Sequence, residues 1–88
     1  MEKLIVSQLV SDNQVQDGVS KDSCIIRVSK YEKSDGTFFF RISSTIDSQC
    51  DDFINGVPTI EEAEREFEKL QIKHFGTIKQ KFKFDEFN

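Results

Sequence analysis

The sequence predicts an α+β domain: a small antiparallel sheet in β-β-β-α-β order, with one amphipathic helix packed on one face. Three observations predict it. Two strand-like runs between residues 24 and 46 flank a Ser34-Asp35-Gly36 turn. A capped amphipathic segment runs from Thr59 to Gly76, and residues 78–84 then alternate, with Ile78, Phe82 and Phe84 on one side and Lys79, Lys81 and Lys83 on the other.

The first strand is expected over residues 4–10, a largely apolar run that would be covered on both faces. Residues 11–23 are polar and hold an Asp17-Gly18 turn signal, so they read as a long loop or a loop with a short extra strand around Val15 and Val19. The central hairpin is more informative because its register can be derived. A two-residue Asp35-Gly36 loop would put Ile26 and Val28 on one face and Phe38, Phe40 and Ile42 on the other. A three-residue loop, a type I turn closed by Gly36 in the left-handed region, shifts the pairing by one. Cys24, Ile26 and Val28 then share a core face with Phe38, Phe40, Ile42 and Ile46. Ile25, Arg27, Ser29, Tyr31, Phe39, Arg41, Ser43 and Thr45 form the opposite face. The hydrophobic pattern selects the second register.

Residues 47–58 read as irregular, with Asn55-Gly56 as a second turn signal and Phe53 and Ile54 either tucked under the loop or exposed. Thr59 is a natural N-cap with Glu62 three residues on. Glu61 and Glu62 lie in the first turn and Lys69, Lys73 and His74 toward the end, both matching the helix dipole; Gly76 gives the stop. Ile60, Ala63, Phe67 and Leu70 make one apolar stripe with His74 at its end, so the helix should pack on the sheet. The tail over residues 78–84 reads as a half-buried last strand, Ile78, Phe82 and Phe84 inward and Lys79, Lys81 and Lys83 outward, where lysines discourage edge pairing.

At 88 residues the chain makes a single domain over residues 1–88, with nine phenylalanines carrying much of its apolar content. So short a chain has little room for a deep pocket. The net charge of −4 disfavours a nonspecific DNA coater, whose affinity comes from basic contacts to phosphates. Charge is unevenly placed: residues 47–68 hold eight carboxylates and one base, whereas residues 69–83 hold five lysines and no carboxylate. Cys24 and Cys50 are read as reduced thiols of a cytoplasmic protein. The N-terminal run turns polar too soon for a secretory signal, and no run approaches membrane-spanning length.

Two surfaces stand out as candidate sites. On the hairpin's non-core face, Tyr31 faces Phe39, Ser29 faces Arg41 and Arg27 faces Ser43, gathering two of three arginines and the single tyrosine. Arg27, Tyr31, Phe39 and Arg41 can grip a protein or stack bases; otherwise they line a solvated face with arginines over the rings. The second surface is an acidic patch of Asp51, Asp52, Glu61, Glu64 and Glu68, able to steer a basic partner or to be a solvated helix face with intrahelical pairs such as Glu61–Arg65 and Glu66–Lys69.

Catalytic and metal chemistry find little support. Asp47, Asp51 and Asp52 lack the spacing of a calcium loop. His74 is the single histidine, and with Cys24 and Cys50 is too few for a closed zinc site. Nothing local supports a Cys50–His74 nucleophile pair, and no glycine-rich phosphate loop or serine-nucleophile motif is present.

Residues 56–63, Gly-Val-Pro-Thr-Ile-Glu-Glu-Ala, resemble the sheet-to-helix junction of HicB-type antitoxin domains, although the proline-glycine-cysteine segment usual before it is missing. A three-stranded sheet followed by a helix is also similar in outline to the arm-binding domains of phage integrases, which are basic where this chain is acidic. Neither resemblance carries residues over. The expectation is therefore a small non-enzymatic protein–protein interaction module, a regulator or inhibitor of the kind phages and mobile elements encode. It would occupy a host protein's surface through the acidic patch or the hairpin face. No cofactor, metal or membrane is expected, and a homodimer is compatible with the sequence. The alternative is a small nucleic-acid-binding domain using the Arg/Tyr/Phe face.

Overall fold

The computed structural model describes residues 2–16 and 19–83. Four strands, β1 (Lys3–Gln16), β2 (Val19–Glu32), β3 (Phe38–Ile46) and β4 (Gln49–Val57), pair in sequence order as one antiparallel meander, and the helix α1 (Ile60–Phe75) follows all four. The order is thus β-β-β-β-α rather than β-β-β-α-β.

Residues 49–57, expected to be irregular, form the fourth strand. The β3–β4 connection is a two-residue loop, Asp47-Ser48, both with positive φ (51° and 65°) between the paired Ile46 and Gln49. Primed hairpin turns need such angles, which an aspartate tolerates better than most side chains. Asn55-Gly56 is not a turn between elements. It falls inside β4 at a register shift between the pairs Ile42–Ile54 and Phe40–Val57, with Gly56 at φ 74°.

The β2–β3 register is the derived one: Tyr31 pairs with Phe39, Ser29 with Arg41 and Arg27 with Ser43. Gly36 N–H donates to the Lys33 carbonyl at 3.0 Å, and Gly36 takes φ 86°. That closes a turn plus left-handed bulge, and the odd loop places Cys24, Ile26, Val28, Phe40 and Ile42 together in the core. Phe38 departs from the expectation. It is 45% exposed at the hairpin's open end, where the Lys30 ammonium lies 4.5 Å from its ring centre.

The first hairpin is much longer than the sequence suggested. β1 and β2 pair from Lys3–Glu32 to Gln16–Val19, flanking Asp17-Gly18, which lie outside the described residues. Polar residues 11–16 can be strand because they sit along the sheet's edge, where alternate side chains meet solvent. The same edge position corrects another expectation: β1 is not covered on both faces, and Leu4, Ile5 and Leu9 are exposed.

α1 covers one face. Thr59 Oγ1 accepts from Glu62 N–H, and Gly76, in the left-handed conformation, donates its N–H to the Ile72 carbonyl. Ala63, Phe67 and Leu70 are buried as expected, joined by Gln71, His74 and Phe75. The intrahelical Glu66–Lys69 pair is present at 3.5 Å.

The tail is not a strand. Residues 77–83 are irregular, and the Gln71 side chain takes up their backbone groups. Its Oε1 accepts from Lys79 N–H (2.8 Å) and Gln80 N–H (2.9 Å), while its Nε2 donates to the Gln80 carbonyl (3.0 Å). Gln8 on β1 does the same further along, donating to the Lys81 carbonyl and accepting from Lys83 N–H. Between these clamps Phe82 is buried, 6.3 Å from the Phe67 ring and 6.5 Å from that of Phe40. Ile78 is exposed, Lys79 pairs with Asp12 at 3.3 Å, and Phe84 lies outside the described residues.

Candidate interaction surface

With α1 and the tail on one side, the other face of the sheet has no covering element among the described residues. The registers define what it presents. From β2 and β3 come Ile25, Arg27, Ser29, Tyr31, Phe39, Arg41, Ser43 and Thr45; β1 adds Leu4 opposite Tyr31 and Leu9 opposite Arg27; β4 adds Phe53 opposite Ser43. Exposed large apolar side chains here include Leu4, Leu9, Ile25 and Phe53, the last 58% exposed.

Arg41 is the hub. Tyr31 and Phe39 stack with ring centres 5.3 Å apart and planes 12° from parallel. The Arg41 guanidinium carbon lies 4.5 Å from the Tyr31 ring centre, 5.5 Å from that of Phe53 and 5.9 Å from that of Phe39. Its Nε donates to Asn55 Oδ1 at 3.0 Å, and Nη2 reaches Glu2 Oε1 at 3.4 Å. Each cation–π contact at a partly exposed site contributes about 0.5–1 kcal/mol. Together they fix a planar fork whose Nη1 donors have no acceptor among the described residues. Lys33 adds a cation 5.6 Å from the Phe39 ring at the hairpin end. Phe39 itself is buried beneath this stack, so it supports the surface rather than contacting a partner, whereas Arg27 is exposed one pair along.

The sheet also sorts charge. Of the described strand carboxylates, Asp12, Glu32 and Asp52 pair with Cys24, Phe38 and Ser44, all of helix-side parity, and Asp22 and Asp51 line the helix-side cleft with His74. The charged strand side chains described on the open face are Arg27 and Arg41, with Glu2 at the rim.

The acidic patch does not hold together. Glu61, Glu64 and Glu68 share the exposed face of α1 with Arg65, lining a shallow depression. Asp51 and Asp52 lie instead by the helix C-terminus, against Lys73 and His74. Twelve residues separate Glu61 from Lys73, roughly 18 Å of helix.

Asp52 is the centre of a polar network. Oδ2 accepts from Ser44 Oγ (2.8 Å) and bonds His74 Nε2 (2.9 Å), and Oδ1 accepts from Lys73 Nζ (2.9 Å). His74 Nδ1 meets Gln14 Oε1 at 2.8 Å, linking the helix end to β1. Burial pushes the Asp52 carboxyl up, but the bonds from His74, Lys73 and Ser44 outweigh it and hold the group far below the usual carboxylate range. Asp51, Asp52 and His74 present ligand atoms within 4.8 Å of one another beside a cleft of about 550 Å³. They are the described residues best placed to hold a cation. The Lys73 ammonium already sits between the carboxylates, 3.9 Å from Asp51 and 2.9 Å from Asp52, so a metal would have to displace it. Cys50 makes no pair with His74; its Sγ donates to the Asp52 carbonyl at 3.6 Å. Both cysteines are free thiols, Cys24 buried and Cys50 exposed.

Sequence reasoning brought Arg27, Tyr31, Phe39 and Arg41 to one face but missed Leu4, Leu9 and Phe53. Phe53 could have been found only by pairing β4, whose turn carries no glycine signal. Among the described residues no helix is long and apolar enough to cross a membrane. Compared with known families, curated proteins and solved structures, the chain matches none.

Proposed function

We propose that this chain is a non-enzymatic binding protein that docks a protein partner on its open sheet face, acting as a regulator or inhibitor by occupying the partner's surface. The observation that carries this reading is the exposed apolar field of Leu4, Leu9, Ile25 and Phe53 around the braced Arg41 fork. Aromatic and arginine anchors ringed by apolar contacts are the composition of binding hot spots. The aliphatic members favour protein over nucleic acid, because bases stack on aromatic planes and not on leucine or isoleucine. The two open-face arginines would also carry little of the phosphate neutralisation that a nucleic acid demands. Charge sorting supports a partner with an apolar surface that bears a carboxylate for Arg41. A second copy stacked on this face would bring two more arginines against a single rim carboxylate per copy, Glu2, which already pairs with its own Arg41, and burying the excess positive charge is costly.

The test is affinity capture from the native host with the wild type, Arg41→Ala, Phe53→Ala and a Glu61→Lys/Glu64→Lys/Glu68→Lys triple variant. One stoichiometric protein retained by the wild type and the triple variant, and lost with Arg41→Ala and Phe53→Ala, is the expected result. Loss with the helix triple alone would move the site to the acidic face. Steeply salt-dependent binding of single-stranded DNA or RNA, lost with Arg27→Ala and Arg41→Ala, would replace the protein partner with nucleic acid.

A further inference from the structure

The outer edge of β1 is the second unfilled surface, and it is independent of the open-face reading. β1 is fourteen residues long and stands at the end of the strand order. Apart from the β2 ladder, no backbone–backbone bond reaches it among the described residues; the tail touches it through side chains, at Gln8 and Asp12. Proteins usually guard such edges with charge, proline, bulges or shortness. The opposite edge, β4, is guarded: it has nine residues, two register shifts, and Asp51 and Asp52. β1 has no proline, and from Leu4 to Ser11 it carries no charge. Its bulge at Ile5 and the register shift after Asn13 bracket a regular stretch, residues 6–13. Leu9 is exposed within it, and Leu4 and Ile5 are exposed just before it.

We infer that this edge pairs antiparallel with the β1 edge of a second copy, joining two four-stranded sheets into one continuous sheet. The register follows from the backbone. Asn13 N–H turns to the Asp12 carboxylate at 2.7 Å, which marks Asn13 as an outward-facing position. Alternation along an antiparallel strand then makes Ser11, Leu9 and Ser7 outward as well. Because the Asn13 donor is already taken, the free outward groups centre on Leu9. Leu9 pairs with its own symmetry mate and Ser7 with Ser11 of the second copy; on the helix side Gln8 meets Val10 and Val6 meets Asp12. No like charges oppose each other in this register, so the strand is complementary to itself, as a two-fold interface requires. The two-fold runs perpendicular to the sheet, so both open faces point the same way.

Sedimentation velocity from low micromolar to millimolar protein tests this. The wild type should pass from monomer to dimer, and Ser11→Pro, which removes an outward donor without touching the β2 ladder, should weaken the dimer on the order of tenfold or more. Phe53→Ala, far across the open face, should leave it unchanged. A wild type that stays monomeric throughout, or a dimer that Phe53→Ala dissociates and Ser11→Pro does not, overturns the proposal. Hydrogen exchange on the wild type gives a check that needs no variant: the amides of Ser7, Leu9 and Ser11 should slow as concentration rises, and unchanged exchange rejects the edge. Arg41→Ala, which tests partner binding, lies on β3 and should leave dimerisation intact.

Discussion

Replacing Gln71 by alanine should unstrap the tail and cost a large part of the protein's stability. The side chain is fully buried and makes three bonds to the backbone of residues 79 and 80. At about 1 kcal/mol per bond the loss is roughly 3 kcal/mol, before any penalty for backbone groups left dry. A domain of this size has about 4–13 kcal/mol in total. The strap also holds Phe82 between Phe67 and Phe40, and Phe82→Ala alone should cost about 3–5 kcal/mol. Both changes act on one segment, so the double variant should cost less than the sum by about 0.5–3 kcal/mol. Urea unfolding of the four proteins measures the cycle, and brief native trypsin digestion reports whether Lys79 and Lys81 become cleavable in Gln71→Ala. Additive costs, or a Gln71→Ala protein within about 1 kcal/mol of wild type with its tail still protected, would refute the strap.

Three further outcomes follow from the same geometry. The folded Asp52 carboxyl titrates below its unfolded value, so its stabilisation is complete above the unfolded range near pH 4 and is lost as pH falls toward the folded value. Asp52→Asn should therefore destabilise at neutral pH but flatten the acid limb, read from thermal melts between about pH 5 and 2; parallel limbs would refute it. Gly36→Ala meets no atom within 4 Å but must hold φ 86°, so it should cost about 1–2 kcal/mol from backbone strain alone, and an unchanged urea midpoint would contradict the turn assignment. Thr59→Ala removes the acceptor for Glu62 N–H and should cost about 1 kcal/mol, checked by the same urea midpoint.

The hairpin and the helix were legible because each is written locally. Gly36 and the alternation on either side of it specify one register, and Thr59, the apolar stripe and Gly76 specify one helix. What escaped was set by tertiary context. β4 is polar and acidic, and it becomes a strand because β3 offers an edge and Asp52 finds Ser44, Lys73 and His74 beneath it. The tail has a strand-like alternation, but the buried Gln71 claims the N–H groups of Lys79 and Gln80. Nothing in its own seven residues announces that. For the candidate surface, Arg27, Tyr31, Phe39 and Arg41 followed from parity alone, whereas burial of Phe39 and exposure of Phe53 depend on how Arg41 lies over the rings.

The strap at Gln8 gives this chain an unequal folding schedule. The four strands meet their neighbours through short connections, so the sheet can zip up hairpin by hairpin with little loop entropy to overcome. The bonds from Gln8 to residues 80, 81 and 83 span 72, 73 and 75 residues, joining nearly opposite ends of the described chain. Such contacts form after the sheet and helix exist to receive them. The tail is thus a late closure, and in kinetic terms its loss should quicken unfolding while leaving the folding rate almost untouched.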